Sequence, residues 1–258
     1  MSLLASVEDG VAVLTLDRPQ VHNAFDDALV AALTRAYAAA IADPSVYAIV
    51  LRANGKSFSA GADLNWMKRM AGYSRHENLV DALALGTLLR TIDTCPKPTL
   101  ARVQGSVFAG GTGLVAACDI VVCVPEAEFA VTEVRLGLIP AVISPYLVRA
   151  LGARQARRYF LTAERFSAAT ALALGLVHEL VPAEELDAAL ARHLKALRAN
   201  SPAAIAATKD LIAAVDRPVD PAVVQDTARR IADQRASAAG KEGVAAFLEK
   251  RKPNWGTP

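Results

Sequence analysis

Cysteine is scarce: Cys95, Cys118 and Cys123 are an odd number in 258 residues, too few for a disulfide framework, and Cys118 and Cys123 have no zinc-ligand partners nearby. They read as reduced packing residues. His22, His76, His178 and His193 are scattered without metal-ligand spacing, so no metal site is expected. Charge of one sign is also lacking. Lys plus Arg number 28 against 26 for Asp plus Glu, a net charge of +2, too little to hold a polyphosphate backbone, which argues against a nucleic-acid partner. No run reaches the ~18 apolar residues of a spanning helix, and Glu8 and Asp9 stand where a signal peptide would be apolar, so a soluble cytoplasmic protein without membrane partners is expected. What the chain does have is 53% hydrophobic residues, enough to bury roughly three quarters of its unfolded surface. Disorder is excluded.

The first segments, Leu3 to Val7 and Val11 to Leu16, flank Glu8-Asp9-Gly10 and predict a hairpin, since Asp-Gly favours a tight turn. Phe25, Leu29, Leu33, Tyr37 and Ile41 recur at helical spacing. A strand at Val46 to Leu51, a polar loop and a helix at Leu64 to Met70 follow. The same order recurs in Pro98 to Val103, Gly105 to Gly113 and Leu114 to Cys118, with short strands at Ile120 to Val124 and Glu128 to Val131. This alternation predicts an α/β core with parallel strands. After about Ser144 the pattern is helical: Tyr146 to Ala150, Ala153 to Leu161, Ala168 to Leu174, Ala183 to Arg198, Ala203 to Val215, Val223 to Ala236 and Lys241 to Arg251, interrupted by one strand at Leu176 to Val181.

Chemistry could reside in two glycine turns. In Phe58 to Leu64 (FSAGADL), Gly61 lets a ligand oxygen approach the backbone just before a helix start, where amides point outward; Asp63 there suits a helix cap. In Phe108 to Leu114 (FAGGTGL), Gly111, Gly113 and Ala116 match a dinucleotide fingerprint. Only Leu114 to Asp119 separates these glycines from the next strand, too short for a parallel crossover with its helix, so a substrate-facing amide such as that of Gly110 is the better reading. Glu133, among Phe129, Val131, Val134, Leu136 and Leu138, is a carboxylate whose pKa burial would raise toward the range useful for proton transfer; its alternative is a pair with Arg135. Ser144 lacks a hydrolase elbow.

These motifs, together with Gln104-Gly105, Ala117 to Ile120 (ACDI), Thr132 to Pro140 (TEVRLGLIP), Ala173 to Val177 (ALGLV), Arg18-Pro19, Asn23-Ala24 and the tail from Glu242 to Lys252, resemble in order the enoyl-CoA hydratase/isomerase (crotonase) superfamily over essentially the whole chain. The resemblance implies an α/β fold, a crotonase-like spiral of ββα turns over residues 1–195, with a helical C-terminal region, 196–258, serving trimerisation and covering the CoA pocket. It implies an acyl-CoA substrate, no separately bound cofactor, and a homotrimer or a hexamer of two trimers. The amides of Ala62 and Gly110 would form an oxyanion hole, Glu133 would exchange the C2 proton, and the Ala141 amide would contact water. Arg18, Ala60, Asp63, Leu64, Phe247 and Lys250 would bind the CoA portion.

There is one departure: the family's first glutamate, which positions and activates water, falls on Gly113. A single-glutamate isomerase and a non-catalytic CoA-binding homologue are therefore weighed beside a hydratase. Segments Ala62 to Met70, Gly113 to Cys118, Ile139 to Tyr146 and Ala156 to Phe166 resemble the bacterial methylglutaconyl-CoA hydratase branch, which belongs to leucine breakdown. Such a substrate carries a second carboxylate, for which Lys68, Arg69 or Arg75 are candidate partners.

Overall fold

The structure, a computed structural model, describes residues 2–255. The outer ends of both expected units, Met1 and residues 256–258, lie outside the described residues. The hairpin forms as expected: β1 (Leu3–Glu8) and β2 (Val11–Leu16) pair antiparallel across Asp9-Gly10, both in the left-handed region a two-residue turn requires. Helix α1 (Asp27–Ala42) starts after Asp26, whose side chain accepts from the Leu29 amide, and lays Leu29, Leu33 and Tyr37 into the core. Phe25 thus lies outside the helix it was expected to open.

From there the chain repeats one circuit. Strand β3 (Ala48–Ala53) is followed by β4 (Ser57–Ser59) and helices α2 (Leu64–Met70) and α3 (Arg75–Asp93); β5 (Thr99–Val103) by β6 (Ser106–Phe108) and α4 (Gly110–Ala116); β7 (Ile120–Cys123) by β8 (Glu128–Ala130) and α5 (Ser144–Thr162). In each turn the first strand joins one sheet and the second strand another. The larger sheet runs β1-β2-β3-β5-β7-β10, parallel from β2 onward, with β10 at Glu179–Leu180. The smaller runs β4-β6-β8-β9, with β9 (Phe166–Ser167) the antiparallel edge. This is an α/β spiral of ββα turns. After α6 (Ala168–Ala173) come α7 (Leu186–Arg198), α8 (Pro202–Val215), α9 (Pro221–Ala236) and α10 (Ala238–Leu248). The last three pack on one another, and Lys209 of α8 reaches back to the Asp119 carboxylate at 2.5 Å. No helix among the described residues is long and apolar enough to cross a membrane.

Several boundaries differ from the sequence pattern for physical reasons. The helix expected at Leu114 to Cys118 begins at Gly110, because the glycine run is itself the first helical turn. The two helices expected on either side of Gly152 form one element broken there, at φ 74°. The strand expected over Leu176 to Val181 shortens to two residues, and the last helix ends at Leu248 instead of Arg251. The pattern does not foresee the 19-residue α3, since only Leu88, Leu89 and Ile92 of it are buried while Leu79, Val80 and Leu83 are exposed. Its capping box, Ser74 with Glu77, is nevertheless legible in sequence.

His178 supports the edge of the larger sheet: its Nδ1 accepts the Val121 amide at 3.0 Å, which requires an unprotonated nitrogen. Burial, then the neighbouring His193, hold its pKa below the ordinary histidine value. Its contribution to stability is therefore present above the unfolded value, about 6.5, and lost as pH falls through the lower folded value. We expect Tm to drop between pH 7 and 5, and this part of the drop to shrink in His178→Asn, measured by thermal melts across that range.

Candidate active site

Three short parallel strands define the site. Backbone bonds pair β4 with β6 and β6 with β8, so their carboxyl ends lie side by side. From β4 the chain enters the Gly61 turn, from β6 the Ala109-Gly110 turn, and from β8 the Thr132-Glu133 turn. All three sequence-predicted chemical segments thus leave one edge of one sheet, the position at which parallel α/β sheets bind ligands.

The first two turns touch. Gly61 adopts φ 90°, and a Cβ built on it would stand 2.9 Å from the Ala109 Cβ and 3.6 Å from the Gly110 nitrogen. Ala109 is held at φ 47° and ψ −127°, a conformation costing an alanine about 1–3 kcal/mol. It is pinned on both sides: its amide donates to Ala130 at 2.8 Å, and its carbonyl accepts the Thr112 amide at 2.9 Å and the Thr112 hydroxyl at 2.6 Å. The strained peptide delivers the Gly110 amide at the start of α4, where it has no helical acceptor. In the other turn, the Phe25 amide donates to Gly61 and the Asp63 amide to Phe25, which leaves the Ala62 amide between them unused. Among the described residues neither the Ala62 nor the Gly110 amide has a hydrogen-bond partner.

Asp63 caps α2, accepting from the amides of Asn65 and Trp66 at 2.8 and 3.2 Å, and pairs with Arg18 at 2.9 Å. Burial alone would raise its pKa, but the two amides and the guanidinium outweigh it and hold the carboxyl below its usual range. Arg18 also donates to the Ala24 carbonyl and pairs with Asp26. Asn23, fully buried at φ 52°, bonds Arg18, Asn54 and Ser57. Arg18, Asp63 and Asn23 thus build the first turn, and the two charges satisfy each other.

Glu133 opens a short 3-10 turn, Glu133–Leu136, with one carboxylate oxygen buried and without a hydrogen-bond partner. Burial raises its pKa, against a smaller opposing pull from its own amide and that of Thr132. The expected environment needs correcting in part. Phe129 and Val131 are buried, whereas Leu136 and Leu138 are exposed. Arg135 does not pair with it either, donating to the Ala163 carbonyl at 2.6 Å. The Ala141 amide, expected to meet water, donates instead to the Ile139 carbonyl at 2.8 Å and is not a free donor. Ala60 donates to His22, Leu64 is exposed, and Phe247 and Lys250 lie at the end of α10, Phe247 with 81% of its surface open. A cavity of about 800 Å³ between the larger sheet and α7, lined by residues such as Val13, Leu190 and Trp255, includes none of Ala62, Gly110 or Glu133.

Comparison with known proteins places this arrangement. The enoyl-CoA hydratase/isomerase family model matches residues 6–258. The chain belongs to that family. It is 44% identical to an enoyl-CoA hydratase from Shewanella pealeana whose structure superimposes with a TM-score of 0.96, covering 99% of this chain and 96% of that one. An enoyl-CoA hydratase from Mycobacterium smegmatis is 35% identical, with a TM-score of 0.93 and full coverage of both chains. The AtuE protein of Pseudomonas aeruginosa is 40% identical with a TM-score of 0.91, covering 99% of each. The protein is an enzyme of the enoyl-CoA hydratase/isomerase family.

Gly113, where the sequence resemblance puts a glutamate, is tightly enclosed. A Cβ on it would meet Ile143 Cγ2 at 2.4 Å, Ile143 Cβ at 2.9 Å and Leu89 Cδ1 at 3.4 Å. The volume a side chain there would occupy is filled by buried hydrocarbon. Sequence reasoning missed Ile143, as it missed Phe25 and Asn23, because each acts by filling or tying rather than by bearing chemistry. We expect Gly113→Ala to destabilise the fold by about 1–3 kcal/mol through overpacking, read from urea unfolding, and Ile143→Ala in the same chain to recover part of that loss.

Proposed function

We propose that this enzyme adds water across the conjugated double bond of an enoyl-CoA thioester. The observation that carries the reading is the meeting, at one sheet edge, of two amides without partners and one buried carboxylate with an unpaired oxygen. The thioester oxygen lies between the Ala62 and Gly110 amides, where its developing negative charge is worth several kcal/mol of stabilisation. Glu133 takes a proton from water as the water oxygen bonds to C3. The same carboxyl then delivers a proton to C2, which regenerates the carboxylate. A raised pKa makes it the stronger base for the first step.

The motifs shared with the methylglutaconyl-CoA hydratase branch support 3-methylglutaconyl-CoA as the substrate. Its distal carboxylate needs a cation. Arg69 is engaged with Asp27 at 2.7 Å, which favours the exposed Lys68 and Arg75 for that task. The CoA portion is assigned to the first turn, at Arg18, Ala60, Asp63 and Leu64, of which Leu64 is exposed, and to Phe247 and Lys250. Exposed Val244, Phe247 and Leu248 on α10 support assembly of the C-terminal region into trimers. A second reading, migration of a 3-enoyl double bond to the 2-position, is favoured by one observation: hydrocarbon occupies the space of a second carboxylate at Gly113, and a single base suffices to move a proton from C2 to C4.

The test is incubation with crotonyl-CoA, 3-methylglutaconyl-CoA and a 3-enoyl-CoA, following conjugated absorbance and product mass. Gain of water on the branched diacid ester is the expected result, and bond migration alone overturns it. Glu133→Gln should lower kcat by about 10²–10⁴. Since the base must be ionised, the acid limb of the wild-type rate profile should lie above the ordinary glutamate value of about 4.3. Stability linkage has the opposite sign. Glu133 stabilises fully below its unfolded pKa, and that contribution is lost as pH rises through its raised folded value. At pH 8, Glu133→Gln should therefore melt above wild type in calorimetry.

A further inference from the structure

Phe25 contacts the supports of both unpartnered amides. Its main chain brackets Ala62: the Phe25 amide donates to the Gly61 carbonyl at 2.8 Å, and its carbonyl accepts the Asp63 amide at 2.9 Å. Its ring abuts the other turn. A Cβ on Gly110 would lie 2.4 Å from Phe25 Cζ and 3.1 and 3.4 Å from the two Cε atoms, so the ring meets Gly110 tip first. The ring is itself confined, 3% exposed, with its centroid 6.0 Å from that of Trp66 at 55°. Trp66 Nε1 donates to Asp81 of α3 at 3.1 Å, which fixes the indole against a helix outside the site.

One residue thus holds one donor by hydrogen bonds and the other by contact, with a rigid ring between them. We infer that Phe25 is a positioning residue that sets the separation of the Ala62 and Gly110 amides, and through it the polarisation of the thioester; this rests on the oxyanion role given to those amides above. Glycine at 110 belongs to the same device, since any side chain there would displace the ring tip or the turn. A spacing error of a fraction of an ångström lowers the stabilisation of a developing charge far more than it lowers ground-state binding.

Tip-first contact makes the test sharp, because a hydroxyl added at Cζ points into Gly110. In a Glu133→Gln background, in which turnover is slowed enough for bound crotonyl-CoA to be observed, the thioester carbonyl stretch should move to lower frequency on binding, seen by difference Raman spectroscopy. Adding Phe25→Tyr or Phe25→Leu should cut that shift by about half or more; with Glu133 intact, each should lower kcat about tenfold and change KM by less than about threefold. Gly110→Ala should be less harmful combined with Phe25→Leu than alone. Phe25→Leu carries the test if Phe25→Tyr does not fold. A full shift and wild-type kcat in folded variants overturn the inference and leave the proposed function standing. No shift in the Glu133→Gln parent overturns the oxyanion role itself, and the inference falls with it.

Discussion

The site depends on the parallel pairing of three strands no longer than three residues each, β4, β6 and β8. Such strands could not stand alone; they are held because each is followed or preceded in the chain by a strand of the larger sheet, and Phe58, Val107 and Phe129 bury completely between them. The pairing fixes where three successive turns of the spiral emerge. Two turns present main-chain nitrogens and the third a carboxylate, so the placement of these groups is set by backbone topology.

The glycine turns and the glutamate were legible because their chemistry is local: a glycine before a helix start, a carboxylate in an apolar stretch. The hairpin and the long amphipathic helices were legible for the same reason, since period and turn residues are properties of neighbouring positions. Of the second sheet only β8 was, because three-residue strands carry too few alternations to register as a pattern. Nor was α3, whose exposed side carries Leu79, Val80 and Leu83 among its polar residues and so blurs the amphipathic pattern. Phe25 had the spacing of a helix residue and serves instead as a wedge between distant turns. Its role depends on Gly110, 85 positions away in the sequence, and no local rule links the two.

Stability and chemistry pull apart at this edge. A buried carboxylate oxygen without a partner and an alanine in a glycine-like conformation both weaken the fold, and both lie where the reaction would take place. The surroundings offset them with densely satisfied groups: Asn23 with its three side-chain bonds, the Arg18 and Asp63 pair, and the Thr112 hydroxyl on the Ala109 carbonyl. The polar contacts go into holding the turns, while the Ala62 and Gly110 amides and one Glu133 oxygen are left without partners.

The hydrocarbon packed over Gly113 also constrains redesign. An acidic side chain placed there alone would enter the volume held by Ile143 and Leu89 and put a charge into a packed interior, so a carboxylate at this position would need a smaller residue at 143 as well.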